Sequence, residues 1–213
     1  MGRTLRDAIL AAADALEAAR EPLCALDAVT GDGDHGLTMA IGARGVRRRL
    51  EQVEGDDPVA LVRAAAAGMG SAGGAIGPIY GRSLLAVADE LALAGDPGPD
   101  GDDDDWLAIV GRVAGAAATT VAELGGAKPG DKTILDALLP FGAAIDAARA
   151  DGRRLRDALP SAVEAARSGA AATAGMAARV GRSSRFGDRS VGTADPGATS
   201  FAIVVAALVE TLG

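Results

Sequence analysis

Three aspartates stand within eight residues of the segment LDAVTGDGDHGLTM, which covers residues 26–39. Asp27, Asp32 and Asp34 repel one another unless a cation or hydrogen-bond donors neutralise them. Carboxylate oxygens suit Mg²⁺, and the intervening glycines let the backbone turn sharply enough to direct several side chains to one point. The spacing therefore predicts a metal site, and the alternative is a solvated Asp/Gly turn that only caps a helix.

A helix is predicted over residues 37–50, directly after the aspartates, so residues 36–38 would lie at its N-terminus. Free N–H groups and the helix dipole at that position favour a phosphate. An acidic loop followed by a helix start therefore indicates a Mg²⁺-phosphate site. His35, the only histidine, is crowded by aspartates and is a poor candidate for a catalytic triad, so we predict no catalytic side chain.

The elements that must position these residues are predicted to be helices. Of the 213 residues 49% are apolar but only 2% are aromatic, so alanine, leucine and valine must fill the core. Small side chains suit closely packed helices, because strands favour aromatic and β-branched residues. We therefore expect an all-α fold, formed as one domain over residues 1–213.

Charge and hydropathy exclude two kinds of partner. A net charge of −8 argues against sequence-independent nucleic-acid binding, which depends on Lys and Arg. The longest apolar run, residues 201–209, is about half of what a membrane-spanning helix needs, so no membrane association is expected. The first ten residues lack the apolar core of a signal peptide, and Cys24 has no second cysteine to pair with, which together favour a cytoplasmic location.

Apolar spacing and capping residues predict about eight helices. The clearest starts are Thr4, Asp57-Pro58 and Asp195-Pro196. Glycine-bearing loops at 27–38, 70–81, 125–133 and 181–197 fall at alternate helix junctions, which lie at the same end of an up-and-down bundle. These loops are therefore expected to converge into one site.

Two stretches are predicted to be irregular. Residues 68–81 are rich in glycine, either as a turn whose N–H groups approach a phosphate or as a plain connection between helices. The next helix is expected over 83–93, and a later one over 155–179. Residues 96–105 are rich in aspartate and proline and are expected to form a solvated linker.

Four ordered motifs resemble the L subunit of dihydroxyacetone kinase, also called the DhaL or DAK2 domain. They are LDAVTGDGDHGLTM, GGAIGPIYG, KPGDKTILDALLP and GRSSRFGDRSVGTADPGATS, and they span essentially the whole chain. The resemblance implies a closed barrel of about eight antiparallel amphipathic helices, with a nucleotide at one end.

The resemblance also implies a set of site residues. Asp27, Asp32 and Asp34 would hold two Mg²⁺ ions that bridge the phosphates of ADP or ATP. The residues implied to contact or border the nucleotide are His35, Gly36, Leu37, Thr38, Ala75, Ile76, Gly126, Ile134, Arg182, Asp195, Pro196 and Gly197. Ile76 stands where the family commonly has serine, and Thr38 where it often has asparagine. The hypothesis is that Ile76 weakens nucleotide retention or adapts the site to a different partner.

A K-type subunit that binds dihydroxyacetone is implied as a partner. In one mode bound ADP is rephosphorylated by an M-type protein of the phosphotransferase system, and in the other ATP exchanges freely. The alternatives are a kinase for a related short ketose or tetrose, and a regulatory binding module that keeps the fold without turnover.

Overall fold

The computed structural model describes residues 4–95 and 101–212. Residues 96–100, which belong to the predicted linker, lie outside the described residues, as do residues 1–3 and 213. Over the described residues the chain forms nine α-helices, two 3-10 segments and no strand. The helices are α1 (Leu5–Ala18), α2 (Arg20–Asp27), α3 (His35–Leu50), α4 (Pro58–Gly70), α5 (Ile76–Ala94), α6 (Asp103–Gly125), α7 (Leu135–Ala150), α8 (Leu155–Ala172) and α9 (Pro196–Leu212). The 3-10 segments are Thr173–Gly175 and Arg182–Ser190.

The eight longer helices close into a ring. Each packs against the next in the order α1, α3, α4, α5, α6, α7, α8, α9, and α9 packs against α1, while the short α2 lies on α3 and α9. Most consecutive helices are joined by short loops, and helices joined in this way run in opposite directions. The predicted all-α closed barrel is therefore confirmed.

This alternation gives the barrel two ends. The loops at 28–34, 71–75, 126–134 and 173–195 lie at one end, which we call the aspartate end. The loops at 51–57 and 151–154 lie at the other, which we call the far end. The sixteen residues of α3 separate the two by about 24 Å, at 1.5 Å per residue.

Side-chain caps fix the helix starts that the sequence predicts. Thr4 and Asp7 form a capping box, and the carboxylate of Asp57 accepts the N–H of Ala60 at 2.9 Å. Such caps satisfy N–H groups that have no partner inside the helix. Asp102 caps α6 in the same way, so α6 begins at Asp103, inside the stretch expected to be a solvated linker.

The glycines of residues 68–81 belong mostly to helices, which corrects the expectation of an irregular stretch. A Cβ added to Gly81 would lie 2.8 Å from Cα of Gly70, and one added to Gly45 would lie 2.6 Å from the carbonyl oxygen of Gly68. These glycines let α3, α4 and α5 approach closely. Helix α4 extends to Gly70, and α5 begins at Ile76. Only residues 71–75 remain as a loop.

Two further boundaries differ from expectation. The eight-residue α2, which ends at Asp27, was not predicted, because it follows α1 almost without interruption. The helix expected over 155–179 ends at Ala172, where Thr173–Gly175 tighten into a 3-10 turn. Both differences place more chain around the aspartate end.

Helix α6 is long and apolar enough to cross a membrane, judged by length and composition. It packs along α5 and α7 as one member of the ring. A core helix of a soluble protein passes the same test, so this single helix is weak evidence for a membrane span.

Candidate functional site

The three predicted aspartates converge at the aspartate end. One carboxylate oxygen from each of Asp27, Asp32 and Asp34 lies within 4.8 Å of the other two. Asp27 is half-buried at the end of α2, while Asp32 and Asp34 are exposed in the loop that leads into α3. Three hard oxygen ligands, one from the end of α2 and two from the loop that follows, match the donors that Mg²⁺ prefers, so the residues fit the predicted metal.

Asp27 also organises the loop itself. Its Oδ2 accepts the N–H of Asp34 at 3.0 Å and that of His35 at 3.3 Å. The carboxylate therefore supports the first turn of α3 and faces the other two aspartates at once. The capping interpretation and the metal interpretation of this segment are compatible.

Arg182 is the cation that faces the cluster. Its guanidinium contacts Oδ2 of Asp32 and lies 3.8 Å from Oδ1 of Asp34, although 150 residues separate Arg182 from Asp32. Beside it, Thr30 Oγ1 lies 3.2 Å from Ser183 Oγ. The 3-10 segment that carries Arg182 thus lies over the aspartate loop.

Of the first four backbone N–H groups of α3, two have acceptors in the described part of the chain and two do not. The N–H of His35 bonds to Asp27, and that of Thr38 bonds to the carbonyl of Asp34 at 2.9 Å. Among the described residues the N–H groups of Gly36 and Leu37 have no acceptor. Two unpaired donors at the positive end of a helix dipole, next to three carboxylates, suit a metal-bound phosphate.

Gly36 has a packing role that the sequence did not reveal. A Cβ at this position would lie 2.9 Å from the backbone nitrogen of Cys24 and still closer to the backbone of Arg20. Only glycine lets α3 start this close to α2. The close approach holds the aspartates of α2 and of the loop on the same side of α3.

His35 points into the barrel and is buried. Its Nε2 lies 3.1 Å from Ser200 Oγ, which is also 3.1 Å from the hydroxyl of Tyr80 and donates to the carbonyl of Gly197 at 2.9 Å. Burial lowers the pKa of His35 to about 4, with the charge of Asp27 opposing the shift in part. His35 is therefore a neutral imidazole at pH 7.

This buried network was missed at the sequence level, because Tyr80 and Ser200 come from helices far apart in the chain. It joins the first turns of α3 and α9 to α5, each of which starts at the aspartate end. Burial raises the pKa of Tyr80, so its hydroxyl stays protonated. Because Ser200 donates its own proton to Gly197, the Tyr80 hydroxyl is the donor to Ser200. The network fixes the relative positions of three helix starts around the candidate site.

The predicted pair Ala75 and Ile76 lies at the start of α5. Ala75 is exposed immediately before the helix, and Ile76 is its first residue. The side chain of Ile76 is half-buried and packs against the hydrophobic core. Packing accounts for an apolar residue here, while the hypothesis that Ile76 affects nucleotide retention stays a prediction.

The other predicted nucleotide contacts frame the same end. Gly126 ends α6 in the left-handed conformation, with φ of 58°, and Ile134 is buried just before α7. A Cβ on Gly197 would lie 3.9 Å from that of Ile134, so the starts of α7 and α9 adjoin. Pro196 is the first residue of α9.

The carboxylate of Asp195 is hydrogen-bonded within the protein. Its Oδ2 accepts the N–H of Ala198 at 2.7 Å, which caps α9. Burial raises its pKa to about 6, and the bond from Ala198 and the charge of Lys132 oppose that rise. Asp195 therefore supports α9 rather than presenting a free carboxylate to solvent.

Comparison with known proteins gives consistent relatives. The sequence profile of the DAK2 domain matches residues 29–210. An L-erythrulose 1-kinase of Mycolicibacterium smegmatis is 39% identical over 190 residues, covering 88% of this chain and 32% of that protein. A PEP-dependent dihydroxyacetone kinase 2, ADP-binding subunit DhaL, of Listeria innocua is 32% identical over 200 residues, covering 92% of this chain and 88% of that protein.

Solved structures agree with the fold. The dihydroxyacetone kinase of C. freundii matches in its native form with a TM-score of 0.72 and 26% identity, over 97% of this chain and 34% of that one. In its complex with AMP-PNP and Mg²⁺ it matches with a TM-score of 0.66 and 25% identity, over 97% of this chain and 33% of that one. The chain thus spans about a third of the erythrulose kinase and of the C. freundii enzyme.

Proposed function

This chain belongs to the DAK2 domain family, and from that premise we propose that it binds a Mg²⁺-nucleotide and serves as the phosphoryl-donor part of a short-ketose kinase. One observation carries the proposal. Three carboxylates with oxygens within 4.8 Å of one another lie beside the two unpaired N–H groups of α3. That combination of hard ligands and anion donors suits a metal-bound phosphate chain.

The proposed roles follow from position. Asp27, Asp32 and Asp34 hold two Mg²⁺ ions, and the N–H groups of Gly36 and Leu37 donate to a phosphate. When bound, Mg²⁺ neutralises phosphate charge during phosphoryl transfer. Arg182, which pairs with Asp32 in this structure, turns its guanidinium toward the nucleotide. Positioning and charge suffice, so no side chain acts as a nucleophile.

The proposed acceptor is dihydroxyacetone, presented by a K-type subunit that docks at the aspartate end. The relative from Listeria innocua, named as an ADP-binding subunit of a dihydroxyacetone kinase, supports this choice. The relative from Mycolicibacterium smegmatis, named an L-erythrulose 1-kinase, supports a four-carbon ketose as the second candidate. ADP or ATP is the proposed nucleotide, an M-type phosphotransferase protein is a candidate donor, and the cytoplasm is the proposed location.

The first experiment asks what the protein carries. It is purified without added nucleotide and denatured, and released ADP, ATP and Mg²⁺ are quantified per chain. About one ADP with two Mg²⁺ supports the relay from a phosphotransferase protein. An empty site that titrates with Mg-ATP supports free exchange.

The second experiment identifies the acceptor. The protein is mixed with a K-type subunit and either dihydroxyacetone or L-erythrulose, with ATP or a phosphorylated M-type protein as donor. We expect ketose phosphate from the native chain and none from Asp32→Asn, with Asp104→Asn at the far end as the matched control. Nucleotide binding without product in any combination would favour a regulatory binding module.

A further inference from the structure

Lys132 is a buried cation at the aspartate end, between α6 and α7. Its side chain is only 4% exposed, and its backbone has a φ of 64°, which is unusual for a residue with a side chain. Burial lowers the pKa of its ammonium, and the nearby charge of Asp195 opposes that shift. A buried ammonium is tolerated only when its donors are satisfied.

Backbone carbonyls supply those acceptors. Lys132 Nζ donates to the carbonyl oxygens of Thr173 at 2.9 Å, Ser190 at 2.8 Å and Met176 at 3.3 Å, and it also donates to that of Thr193. An ammonium has three N–H bonds, so four acceptors saturate it. No carboxylate is among the acceptors, so the ammonium holds backbone rather than another side chain.

The four acceptors stand on both sides of one segment. Thr173 and Met176 precede residues 177–189, and Ser190 and Thr193 follow them. Residues 177–189, which we call the arginine segment, include Arg182. We call residues 173–176 and 190–193, which lie on either side of the segment, its two feet. One ammonium therefore bonds to both feet of the segment whose arginine contacts the aspartate cluster.

Neighbouring bonds extend the same attachment. The N–H of Arg179 donates to the carbonyl of Asp131 at 3.2 Å, next to Lys132 in the chain. The N–H of Gly192 donates to the carbonyl of Ala174 at 2.7 Å, which ties the two feet to each other. The hydroxyl of Ser190, in the second foot, accepts the N–H of Ala178 at 2.7 Å. In the described part of the chain, Lys132 is the only side chain from outside the segment and its feet that bonds to both feet.

We propose that Lys132 is a positioning residue that holds the arginine segment closed, so that Arg182 stays over the metal-phosphate site without Lys132 itself touching the nucleotide. This inference rests on the proposed function for its effect on nucleotide binding. The structural half of the proposal, that the Lys132 ammonium holds the arginine segment closed, does not depend on any ligand.

The test compares Lys132→Met with Lys128→Met. Methionine keeps the length of the side chain but removes its charge and donors, and Lys128 is the only other lysine, exposed in the same loop. Trypsin is the first probe, because the segment contains four arginines, at 179, 182, 185 and 189. Without nucleotide, cleavage there should accelerate about tenfold or more in Lys132→Met and not in Lys128→Met, since bonds to a charged donor are lost.

Cleavage within α3, after the arginines at 47, 48 and 49, serves as the internal control for global unfolding. If it accelerates in parallel, or if the arginine segment stays as resistant as in the native chain, the structural half is overturned.

Nucleotide binding is the second probe, read as a double-mutant cycle. Arg182→Gln should weaken Mg-ADP binding about tenfold in the native chain, by loss of a charge-assisted bond, and less than about twofold in Lys132→Met. An equal cost of Arg182→Gln in both backgrounds would show that Lys132 acts independently of Arg182 and would overturn the positioning role. If the native chain binds no Mg-ADP, the proposed function fails, while the trypsin rates still decide whether Lys132 closes the segment.

Two measurements cover the case in which Lys132→Met does not fold. In the native protein labelled with ¹⁵N-lysine, the ammonium protons of Lys132 should exchange with water much more slowly than those of Lys128. Equal fast exchange would contradict the proposal. In Lys132→Ala, added ethylammonium should restore trypsin resistance of the arginine segment, whereas tetramethylammonium, which has no N–H donor, should not.

Discussion

The two ends of the barrel differ in how their charged side chains are paired. At the far end, Arg6 donates to the carbonyls of Leu50 at 2.8 Å and Val53 at 3.1 Å and pairs with Asp56 at 2.9 Å. Arg149 there pairs with Asp104 at 2.9 Å. At the aspartate end, three carboxylates of like charge lie together, and in the described part of the chain the guanidinium of Arg182 pairs with two of them, those of Asp32 and Asp34.

The difference separates charges that stabilise the fold from charges kept for a ligand. The far-end cations are matched by acceptors within the protein, which fixes loops between neighbouring helices. The cluster at Asp27 is under-neutralised, and like charges held within a few ångströms destabilise the ligand-free protein. Lys132, whose buried ammonium donates to four carbonyls on both sides of the arginine segment, resembles Arg6 more than it resembles Arg182.

The largest expected effect comes from removing one carboxylate of the cluster. Asp32→Asn should weaken Mg-ADP binding by about 100-fold or more, because even indirect supports of a metal ligand are worth 10–100-fold. Titration calorimetry measures the affinity, with Asp104→Asn as the far-end control. Equal affinities for the two variants would abolish the distinction between the ends.

A buried acid at the aspartate end should make stability depend on pH. Burial raises the pKa of Asp195 from its ordinary value of 3.8 to about 6 in the folded protein, so folding takes up a proton between these pH values. The contribution of protonated Asp195 to the free energy of unfolding is complete below pH 4 and is lost as pH rises through 6. Between pH 4.5 and 7.5 the native chain should lose about 2 kcal/mol relative to Asp195→Asn.

Urea unfolding of both proteins without nucleotide measures this difference. Asn is also a good N-cap, so the variant keeps α9 capped. Parallel pH profiles for the native chain and Asp195→Asn would mean that Asp195 is ionised throughout.

Arg182→Gln should act in opposite directions on metal and on nucleotide. Without the guanidinium that contacts Asp32, Mn²⁺ alone should bind several-fold more tightly, because a competing cation is gone. Mg-ADP should bind about tenfold more weakly, because a charge-assisted bond is lost. Arg149→Gln should change neither affinity, and a shift of both in the same direction would refute the double role of Arg182.

The smallest effect is expected at the far end. Arg6→Met should lower the free energy of unfolding by about 1–3 kcal/mol, since carbonyls at the end of α3 lose a charged donor. Mg-ADP affinity should stay unchanged, as the two ends are separated by the length of α3. Denaturant unfolding and calorimetry on the same preparation check both halves, and a fall in affinity would show that the ends are coupled.

Local signals predicted most of the helices. Thr4, Asp57 and Asp195 each mark a helix start that the structure bears out, because capping depends on residues three positions apart. The same signal was present at Asp102, followed by three acids in the first turn of α6, but the surrounding aspartates and prolines suggested a linker.

Glycine caused the main error, since its two uses look alike in a sequence. Gly70 and Gly81 pack α4 against α5, whereas Gly73 and Gly74 adopt positive φ in the loop between them. Choosing between these uses requires knowing which helices touch. The aspartate cluster was predicted because its members are close in the chain.

Long-range contacts were beyond local reasoning. The sequence around Lys132 gives no local sign of its role, because its acceptors lie 41 to 61 residues away. Ser200 meets His35 across 165 residues. Such pairs become visible only when the ring of helices is closed.

That closure also determines where the polypeptide can be cut and rejoined. Since α1 starts and α9 finishes at the far end and the two pack together, residues 4 and 212 lie on the same side of the barrel. A short linker between them, with new termini in the far-end loop at 151–154, would give a circular permutant with the same ring of neighbours. Its chain would begin and end away from the aspartates, so connectivity and chemistry are separable in this architecture.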